Sequence, residues 1–374
     1  MSPIPRIATR LVHRPPVPGE PARATSTPIY QTATFALEPD GAGRWDYSRS
    51  GNPTRDVLEA QLAALDGAAG SLASASGMAA LTAVLRLVPP GGRVVAGRDL
   101  YGGTSRLLDH AGAAAGLRVT TAAGDHLAAL AEAVGAGADL VLVETPTNPR
   151  LTAVPIPELA GICRQAGALL AVDNSLLSSF WQRPLELGAD LAVQSATKLL
   201  AGHSDLTAGV VSARDADLLG RLAFRRNAEG TALGPFESWL LLRGLDTLAV
   251  RLPRQAANAR ALTRRLRSEP AVSRLHRPPG EPRGSVLSLE TGRPDLSLAF
   301  LRHLELFRLG VSFGGVTSSA CLPARTCHAA VPAAERERRG LGEDLVRLSV
   351  GIEDADDLAA DLARAFERAK GEVR

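Results

Sequence analysis

The sequence predicts an α/β protein with a mostly parallel central sheet, followed by a smaller α+β domain. Between Arg93 and Gly209, short apolar runs alternate with helical patterns, as in sheets whose parallel strands are joined by helices. After about residue 246, the pattern changes to long helical stretches with a few short strands. A chain of 374 residues is long enough for two domains.

The first 48 residues are predicted to form an extended arm. Eight prolines fall within residues 1–39, and proline interrupts helices and sheets because it lacks an amide hydrogen and fixes φ. A turn cluster follows at 47–55, with Thr54 as the expected N-cap of a helix through residue 65. Residues 67–80 are rich in Gly, Ser and Ala and lead into a helical pattern through Leu87.

The remaining elements follow from the spacing of apolar residues. The strands predicted in the α/β region are 94–95, 119–120, 140–143, 169–172, 191–193 and 210–211, with helices at 127–134 and 156–166. The last part of the chain is predicted to contain helices at 248–266, 295–309 and 354–369 and strands near 285–289 and 345–350. We therefore expect an arm at 1–48, an α/β domain at 49–245 and an α+β domain at 246–374.

Composition argues against several classes of protein. The chain is 45% hydrophobic and 22% charged, and it has neither an apolar run long enough for a membrane nor the apolar segment of a signal peptide at its start. Three cysteines without a CxxC pair argue against a disulfide framework and a metal site. The net charge of +3 comes from interspersed charges, so no nucleic-acid partner is expected. We expect a cytoplasmic protein.

Lys198 stands out because lysine is rare in this chain. Among 42 lysine and arginine residues, only Lys198 and Lys370 are lysines. Arginine stays protonated, whereas a desolvated lysine amine can lose its proton and attack a carbonyl. Lys198 follows the predicted strand at 191–193, and Asp173 directly follows the preceding predicted strand at 169–172. Ligands of open α/β sheets bind at the carboxyl ends of strands, so we predict a site here rather than a surface lysine.

Two further features complete the pattern. Ser76, Gly77 and Met78 open a helix with small side chains and free backbone amides, which favours phosphate binding. Tyr101 precedes a Gly-Gly turn and offers an aromatic face. An amine, a carboxylate, a phosphate seat and a stacking ring are what pyridoxal 5'-phosphate requires.

The motifs also carry a resemblance over nearly the whole chain. In order, they are YSRSGNPTR, SGM, DLYGGT, ETPTNP, VDNS, SATK, GHSD, LLLRGLDTL and LVRLSVGIED. They resemble those of the Cys/Met-metabolism family of pyridoxal phosphate enzymes, the group of cystathionine γ-synthase and cystathionine γ-lyase. The resemblance implies a fold-type I pyridoxal phosphate enzyme, with the cofactor bound by the domain at 49–245.

The resemblance also implies roles for individual residues. Lys198 would form the Schiff base and move protons, Asp173 would pair with the pyridinium nitrogen, and Tyr101 would stack on the ring. The other implied cofactor-binding residues are Tyr47, Arg49, Ser76, Gly77, Met78, Asn148, Ser195 and Thr197. The implied substrate-binding residues are Arg106, Asn148, Thr317, Ser318 and Arg347. Tyr47 and Arg49 would come from a neighbouring subunit, which implies a homo-oligomer, such as a dimer of dimers, acting on a small amino acid.

The implied reaction is γ-elimination or γ-replacement on an amino acid with a leaving group at Cγ. Thr317 stands where relatives acting on cystathionine present an acidic residue, and position 103 is glycine instead of the cysteine typical of methionine γ-lyases. We therefore expect an altered substrate, for instance a γ-halogenated amino acid in specialised metabolism. The alternative is β-elimination to pyruvate, because the same lysine serves both reactions.

Two alternatives belong to other classes of protein. Residues 310–314 match GxSxG, the pattern around the nucleophile of many serine hydrolases. Against this, no acidic residue lies between Ser312 and His328, the only later histidine. The second alternative is a non-catalytic binding or scaffold protein that kept the fold, and the presence of Lys198, Asp173 and Tyr101 argues against it.

Overall fold

The computed structural model describes residues 6–123, 126–278 and 283–373. Within these ranges the strands form one sheet of seven and one of five. The larger sheet contains β1 (Gly70–Ser74), β2 (Arg93–Gly97), β3 (Arg118–Ala122), β4 (Leu140–Glu144), β5 (Leu169–Asp173), β6 (Leu191–Ser195) and β7 (Gly209–Ala213). The smaller contains β8 (Arg274–His276), β9 (Val286–Glu290), β10 (Arg308–Leu309), β11 (Ser319–Cys321) and β12 (Leu345–Ser349).

Helices precede, connect and follow these strands. In the first half they are α1 (Ile7–Val12), α2 (Pro53–Asp66), α3 (Gly77–Leu85), α4 (Gly102–Ala115), α5 (Leu127–Gly135), α6 (Ile156–Ala166) and α7 (Ser178–Trp181). In the second half they are α8 (Ala216–Glu229), α9 (Pro235–Asp246), α10 (Leu248–Leu266), α11 (Pro294–Arg302), α12 (Ala333–Arg338) and α13 (Ala355–Glu372). None of the helices in the described ranges is both long and apolar enough to cross a membrane.

The larger sheet has the strand order β1-β7-β6-β5-β4-β2-β3. Strands β2 to β6 pair in parallel, whereas β7 runs antiparallel to both β6 and β1. The predicted mostly parallel sheet is therefore confirmed. Strand β1 was not predicted, because its sequence, GSLAS, has the composition of a loop. Its strand conformation comes from pairing with β7, a partner more than a hundred residues away.

Apolar residues cover both faces of the larger sheet. One face packs against α3, α4 and α8, and the other packs against α5 and α6. All five residues of β4 are buried, as expected for a strand between two helical layers. These layers leave the carboxyl ends of β4, β5 and β6 at one edge, where Glu144, Asp173 and Ser195 end their strands.

The smaller sheet has the order β10-β11-β12-β9-β8 and is antiparallel except for the β10–β11 pair. Its buried face packs with α10, α11 and α13, where the rings of Phe300 and Phe366 stack with their centroids 4.0 Å apart. The helix expected over 295–309 ends at Arg302, because residues 308–309 pair with β11 instead. This part of the prediction was wrong.

Three local predictions in the first part of the chain were also wrong. The N-cap of α2 is Asn52 and not Thr54, since Asn52 Oδ1 accepts a hydrogen bond from the Thr54 amide at 3.0 Å. The Thr54 hydroxyl instead donates to the Pro28 carbonyl at 2.9 Å. The arm is not extended throughout, because α1 forms in a stretch without proline and buries Leu11 completely. The helix that was expected to continue to Leu87 ends at Leu85.

We predict that Asn52→Ala lowers the free energy of unfolding by about 1–2 kcal/mol, because the amide of Thr54 loses its cap. The Asn52 side chain also donates to the Tyr30 carbonyl at 2.9 Å, so the arm is expected to loosen as well. Denaturant unfolding measures the change. Asn52→Asp keeps the capping oxygen and is the matched control, and equal destabilisation by both variants would contradict the capping role.

Candidate active site

A cavity of about 420 Å³ lies at the carboxyl ends of β4, β5 and β6. Its lining includes eleven of the residues that the sequence predicts for the site: Ser76, Gly77, Met78, Tyr101, Arg106, Asn148, Asp173, Ser195, Thr197, Lys198 and Arg347. They come from strands, loops and the first turns of helices spread over most of the chain. The structure therefore brings together groups that the sequence shows only as separate motifs.

Lys198 lies in the loop after β6 and points into this cavity. Its Nζ donates a hydrogen bond to Ser312 Oγ at 2.6 Å and lies 5.2 Å from the centre of the Phe313 ring. Burial lowers the pKa of Lys198 to about 8, and the nearby positive charge of Arg347 acts in the same direction. About a tenth of this amine is therefore unprotonated at pH 7, and the unprotonated form is the one that acts as a nucleophile or general base.

Asp173 ends β5 and faces the same cavity. Its Oδ1 accepts hydrogen bonds from the amide and hydroxyl of Ser175, at 3.0 and 2.6 Å. Burial raises the pKa of Asp173, and the Ser175 hydrogen bonds and the charge of Lys198 oppose that shift. Among the described residues no hydrogen bond reaches Oδ2, so this oxygen is available to a protonated ring nitrogen.

Glu144 lies beside Asp173, since the two residues are in register across β4 and β5. Its carboxyl oxygens accept hydrogen bonds from the backbone amides of Tyr101 and Asn148, each at 2.8 Å. Burial and the negative charge of Asp173 raise the pKa of Glu144 well above its usual range. One buried carboxyl group therefore ties together two loops that both contribute to the cavity wall.

The start of α3 forms one end of the cavity. Ser76 caps the helix by accepting the Ala79 amide at 3.1 Å, and the amides of Gly77 and Met78 are among the first of the helix. A side chain at Gly77 would place its Cβ 3.0 Å from Ser195 Cβ, so the glycine keeps this end open. The backbone amides at the start of α3, together with the hydroxyls of Ser195 and Thr197, are hydrogen-bond donors suited to binding a phosphate group. The residues present therefore fit pyridoxal 5'-phosphate.

Arg347 of β12 forms the opposite wall and is almost fully buried. Its Nη1 donates to Asn148 Oδ1 at 2.9 Å, and its Nη2 donates to the Ser312 carbonyl at 2.6 Å. No carboxylate among the described residues forms an ion pair with it. A buried guanidinium without an acidic partner, beside an amide side chain, is suited to bind the carboxylate of a substrate.

Tyr101 precedes α4 and extends its ring into the cavity. A Cβ at Gly103 would collide with this ring, so glycine at position 103 lets the ring lie where it does. Arg106, on the first turns of α4, also lines the cavity. In the part of the chain that the structure describes, its guanidinium has no hydrogen bond or ion pair.

Four predicted site residues do not line this cavity. Tyr47 lies near the end of the arm and Arg49 just after it, and both are exposed. The Arg49 guanidinium lies 5.3 Å from the centre of the Tyr47 ring and donates to the carbonyl of Asn227 at 2.8 Å. Thr317 is exposed. Ser318 is buried outside the cavity, where its hydroxyl donates to Glu353 Oε2 at 2.9 Å.

The sequence motifs predict no role in the site for Glu144, Ser175, Ser312, Phe313 or Cys327. Ser312 was noticed only within GxSxG, and it lies in the loop between β10 and β11 instead of at the strand-to-helix turn of a hydrolase. Its φ of +77° is unusual for a residue with a side chain. Nothing in the local sequence indicates that this serine reaches Lys198, 114 residues earlier.

We predict that the apoprotein reacts with pyridoxal phosphate at Lys198 at a rate that rises roughly tenfold per pH unit below about pH 8 and levels off above it. The reason is that only the unprotonated amine attacks the aldehyde. Borohydride reduction at timed intervals, followed by peptide mapping, measures the rate, and Lys198→Ala is the control. A rate that keeps rising towards pH 10.5, the pKa of an ordinary lysine, would contradict the desolvated amine.

Comparison with known proteins assigns the family. The sequence profile of the Cys/Met metabolism PLP-dependent enzymes matches residues 8–367. Cystathionine beta-lyase of Arabidopsis thaliana is 44% identical over 93% of this chain and 78% of the relative. Cystathionine gamma-lyase of Bacillus subtilis is 38% identical over 96% of this chain and 98% of the relative.

Among solved structures, cystathionine gamma synthase from Xanthomonas oryzae pv. oryzae in complex with cystathionine is similar to this chain, with a TM-score of 0.96. The two are 36% identical, and the match covers 99% of this chain and all of that one. The similarity thus extends over both sheets as well as the cavity. The chain belongs to the pyridoxal phosphate-dependent enzymes of Cys/Met metabolism.

Proposed function

We propose that the chain eliminates or replaces a substituent on the side chain of an α-amino acid, beginning with removal of the Cα proton by Lys198. The observation that carries this proposal is the buried Lys198 amine, which shares one cavity with the Asp173 carboxylate and the Arg347 guanidinium. Pyridoxal phosphate, the cofactor of the family, withdraws electrons from the Cα of a bound amino acid and so acidifies its proton.

Lys198 is the base in this proposal. Its pKa of about 8 makes the amine able both to accept a proton from carbon and to return it. Ser312 Oγ, at 2.6 Å, holds Nζ at one side of the cavity. Because the φ of Ser312 is in the left-handed region, the surrounding contacts must fix this loop, and Arg347 supplies one through the Ser312 carbonyl.

Arg347 and Asn148 would bind the substrate carboxylate. Their hydrogen bond of 2.9 Å orients the guanidinium before substrate arrives. The Phe313 ring lies 5.5 Å from the Arg347 guanidinium and 5.2 Å from Lys198 Nζ, within the range of favourable cation–π contacts. Asp173 would hold the cofactor ring nitrogen in its protonated form, and Gly77, Met78, Ser195 and Thr197 would hold the phosphate.

For the position of the leaving group we propose Cγ, as the sequence motifs predict. In γ-elimination Lys198 moves a second proton from Cβ, whereas in β-elimination the first proton transfer is sufficient. β-Elimination is the second candidate, and the higher identity to the relative named cystathionine beta-lyase supports it. Both reactions use the same amine and the same carboxylate site.

The proposed change of substrate rests on the threonine at position 317. Thr317 is exposed and lies outside the cavity of its own chain, so it can affect only the distal end of a long substrate. A substrate shorter than cystathionine, such as a γ-halogenated amino acid, would not need an acidic residue there. Val311 and Phe313 give this side of the cavity an apolar lining.

We also propose a cytoplasmic homo-oligomer in which Tyr47 and Arg49 complete the site of a neighbouring subunit. Both residues lie outside the cavity of their own chain, and Tyr47 is 43% exposed. Mixing subunits of Arg49→Ala with subunits of Lys198→Ala tests the arrangement. Activity recovered in the mixture would support shared sites, and no recovery would argue against them.

The decisive experiment is product identification with purified enzyme and pyridoxal phosphate. L-Cystathionine, O-succinyl-L-homoserine with and without cysteine, and a γ-chlorinated amino acid are supplied separately. From cystathionine, 2-oxobutanoate indicates γ-elimination and pyruvate indicates β-elimination. Turnover of the chlorinated compound alone would support the altered substrate. Absence of any product, with no borohydride-trapped cofactor on Lys198, would overturn the proposed reaction.

We predict that Thr317→Glu lowers the KM for L-cystathionine by about tenfold, the value of one hydrogen bond to a charged group. The added carboxylate would bind the distal ammonium of cystathionine, which the threonine cannot do. Thr317→Gln is the control of similar size without charge. Equal KM values for the two variants would show that a negative charge at position 317 does not determine the preference for cystathionine.

We predict that Glu144→Ala lowers kcat/KM by about tenfold or more, because two backbone amides lose their acceptor at ~1–3 kcal/mol each. The loops that carry Tyr101 and Asn148 would lose their common anchor, so the thermal midpoint should fall as well. Glu132→Ala, on the exposed face of α5, serves as the control. Unchanged kinetics in Glu144→Ala would show that the two loops hold their positions without this carboxyl group.

A further inference from the structure

Ser175 connects the two ends of the proposed cofactor site. It lies in the loop that follows β5 and lines the cavity. Its hydroxyl donates a hydrogen bond to Asp173 Oδ1 at 2.6 Å and accepts one from the backbone amide of Ser195 at 2.7 Å. Asp173 is the residue proposed to hold the ring nitrogen, and Ser195 is one of those proposed to hold the phosphate. A single hydroxyl group therefore contacts residues at both ends of the site.

The chemistry of these groups fixes the direction of both hydrogen bonds. A backbone amide can only donate, so the Ser195 amide occupies a lone pair of the Ser175 oxygen. The one hydrogen of the Ser175 hydroxyl is then donated to Asp173 Oδ1. The backbone amide of Ser175 donates to the same carboxyl oxygen at 3.0 Å. Because Oδ1 receives two donated hydrogens, a proton bound by this carboxyl group is placed on Oδ2.

The sheet holds the Ser175 hydroxyl in this position. Strands β5 and β6 are adjacent and parallel, and Ser195 is the last residue of β6. The Ser195 amide is therefore part of the sheet backbone and cannot turn away from Ser175. The side-chain conformation of Ser175 that donates to Asp173 is thus selected before any cofactor binds.

The two donors of Ser175 favour the charged form of Asp173. Burial raises the pKa of Asp173, whereas the hydrogen bonds from Ser175 and the charge of Lys198 lower it. The charge of Lys198 is lost when its amine is unprotonated, which is the form that reacts. Glu144 faces Asp173 in register from β4 and supplies no positive charge. The hydrogen bonds from Ser175 are therefore the support that remains when Lys198 is unprotonated.

We propose that Ser175 is a positioning residue whose hydroxyl keeps the proton between Asp173 Oδ2 and the ring nitrogen of pyridoxal phosphate on the nitrogen. Without this hydroxyl, the buried carboxylate would bind the proton more strongly, and the ring nitrogen would become neutral. A neutral ring withdraws fewer electrons from the Cα of a bound amino acid, so Lys198 would remove the Cα proton more slowly. The position of the proton depends only on cofactor binding, whereas the effect on the rate rests on the proposed function.

Nitrogen NMR of the holoenzyme, loaded with pyridoxal phosphate that is isotopically labelled at its ring nitrogen, tests the position of the proton directly. The resonance of a pyridine nitrogen differs between its protonated and neutral forms. We expect the protonated form in the natural chain and, in Ser175→Ala, an equilibrium shifted about tenfold towards the neutral form, the effect of one hydrogen bond to a charged group. Ser175→Thr keeps a hydroxyl and should restore the natural resonance. An unchanged resonance in Ser175→Ala would overturn the proposal.

A matched variant separates this role from a general loss of packing. Ser71→Ala also removes a buried serine hydroxyl, which contacts the Ser212 hydroxyl at 2.6 Å outside the cavity lining, and should leave the ring nitrogen protonated. Ser175→Cys, whose thiol is a weaker donor, should give a resonance between those of the natural chain and Ser175→Ala. Equal changes in Ser71→Ala and Ser175→Ala would overturn the proposal.

Steady-state kinetics test the effect on the reaction separately. We expect kcat of Ser175→Ala to fall by about tenfold with KM unchanged, because Arg347 and Asn148, and not Ser175, bind the substrate carboxylate in the proposed function. A shifted resonance with unchanged kcat would overturn the link to proton removal by Lys198. Because the NMR measurement requires no substrate, its outcome is independent of whether the proposed reaction is correct.

Discussion

The site depends on the removal of the Lys198 amine from water. Desolvation lowers its pKa to about 8, and the same burial must be tolerated by Arg347 in the same cavity. The Lys198 ammonium and the Arg347 guanidinium can both lie in this cavity because each donates hydrogen bonds to its own oxygen acceptors. Nζ donates to the Ser312 hydroxyl, and Arg347 donates to the Ser312 carbonyl and to Asn148. The loop at Ser312 therefore links the amine to the guanidinium.

A second constraint comes from the geometry of the parallel sheet. Adjacent parallel strands end at the same edge, so the carboxyl groups of Glu144 and Asp173 become neighbours in register. Two buried carboxyl groups on adjacent strands cannot both remain ionised without a cost in free energy. The two groups differ in how their charge is stabilised. Asp173 has Ser175 and the charge of Lys198 to stabilise its anion, whereas Glu144 has a strongly raised pKa and anchors the Tyr101 and Asn148 loops.

Much of the fold could be predicted because the strands of a doubly covered sheet are apolar throughout. Strands β4, β5 and β6 gave clear signals for this reason, and α6, the helix between β4 and β5, has a regular apolar periodicity that buries Ile156, Leu159, Ala160 and Cys163. Strand β1 and the short strands β10 and β11 could not be predicted, since their conformations depend on partners distant in sequence. The cap of α2 was assigned two residues too late because Asn52 and Thr54 are both common capping residues.

The sequence by itself determined the chemical groups of the site, because Lys198 and Asp173 follow or end apolar strands and Gly77 opens the α3 helix. Only the tertiary structure decided which remote groups complete it. Ser312 and Cys327 reach Lys198 and Arg347 because the smaller sheet packs its β10–β11 loop and the turn after β11 against the cavity. Such contacts depend on the packing of two sheets, which local sequence patterns do not encode.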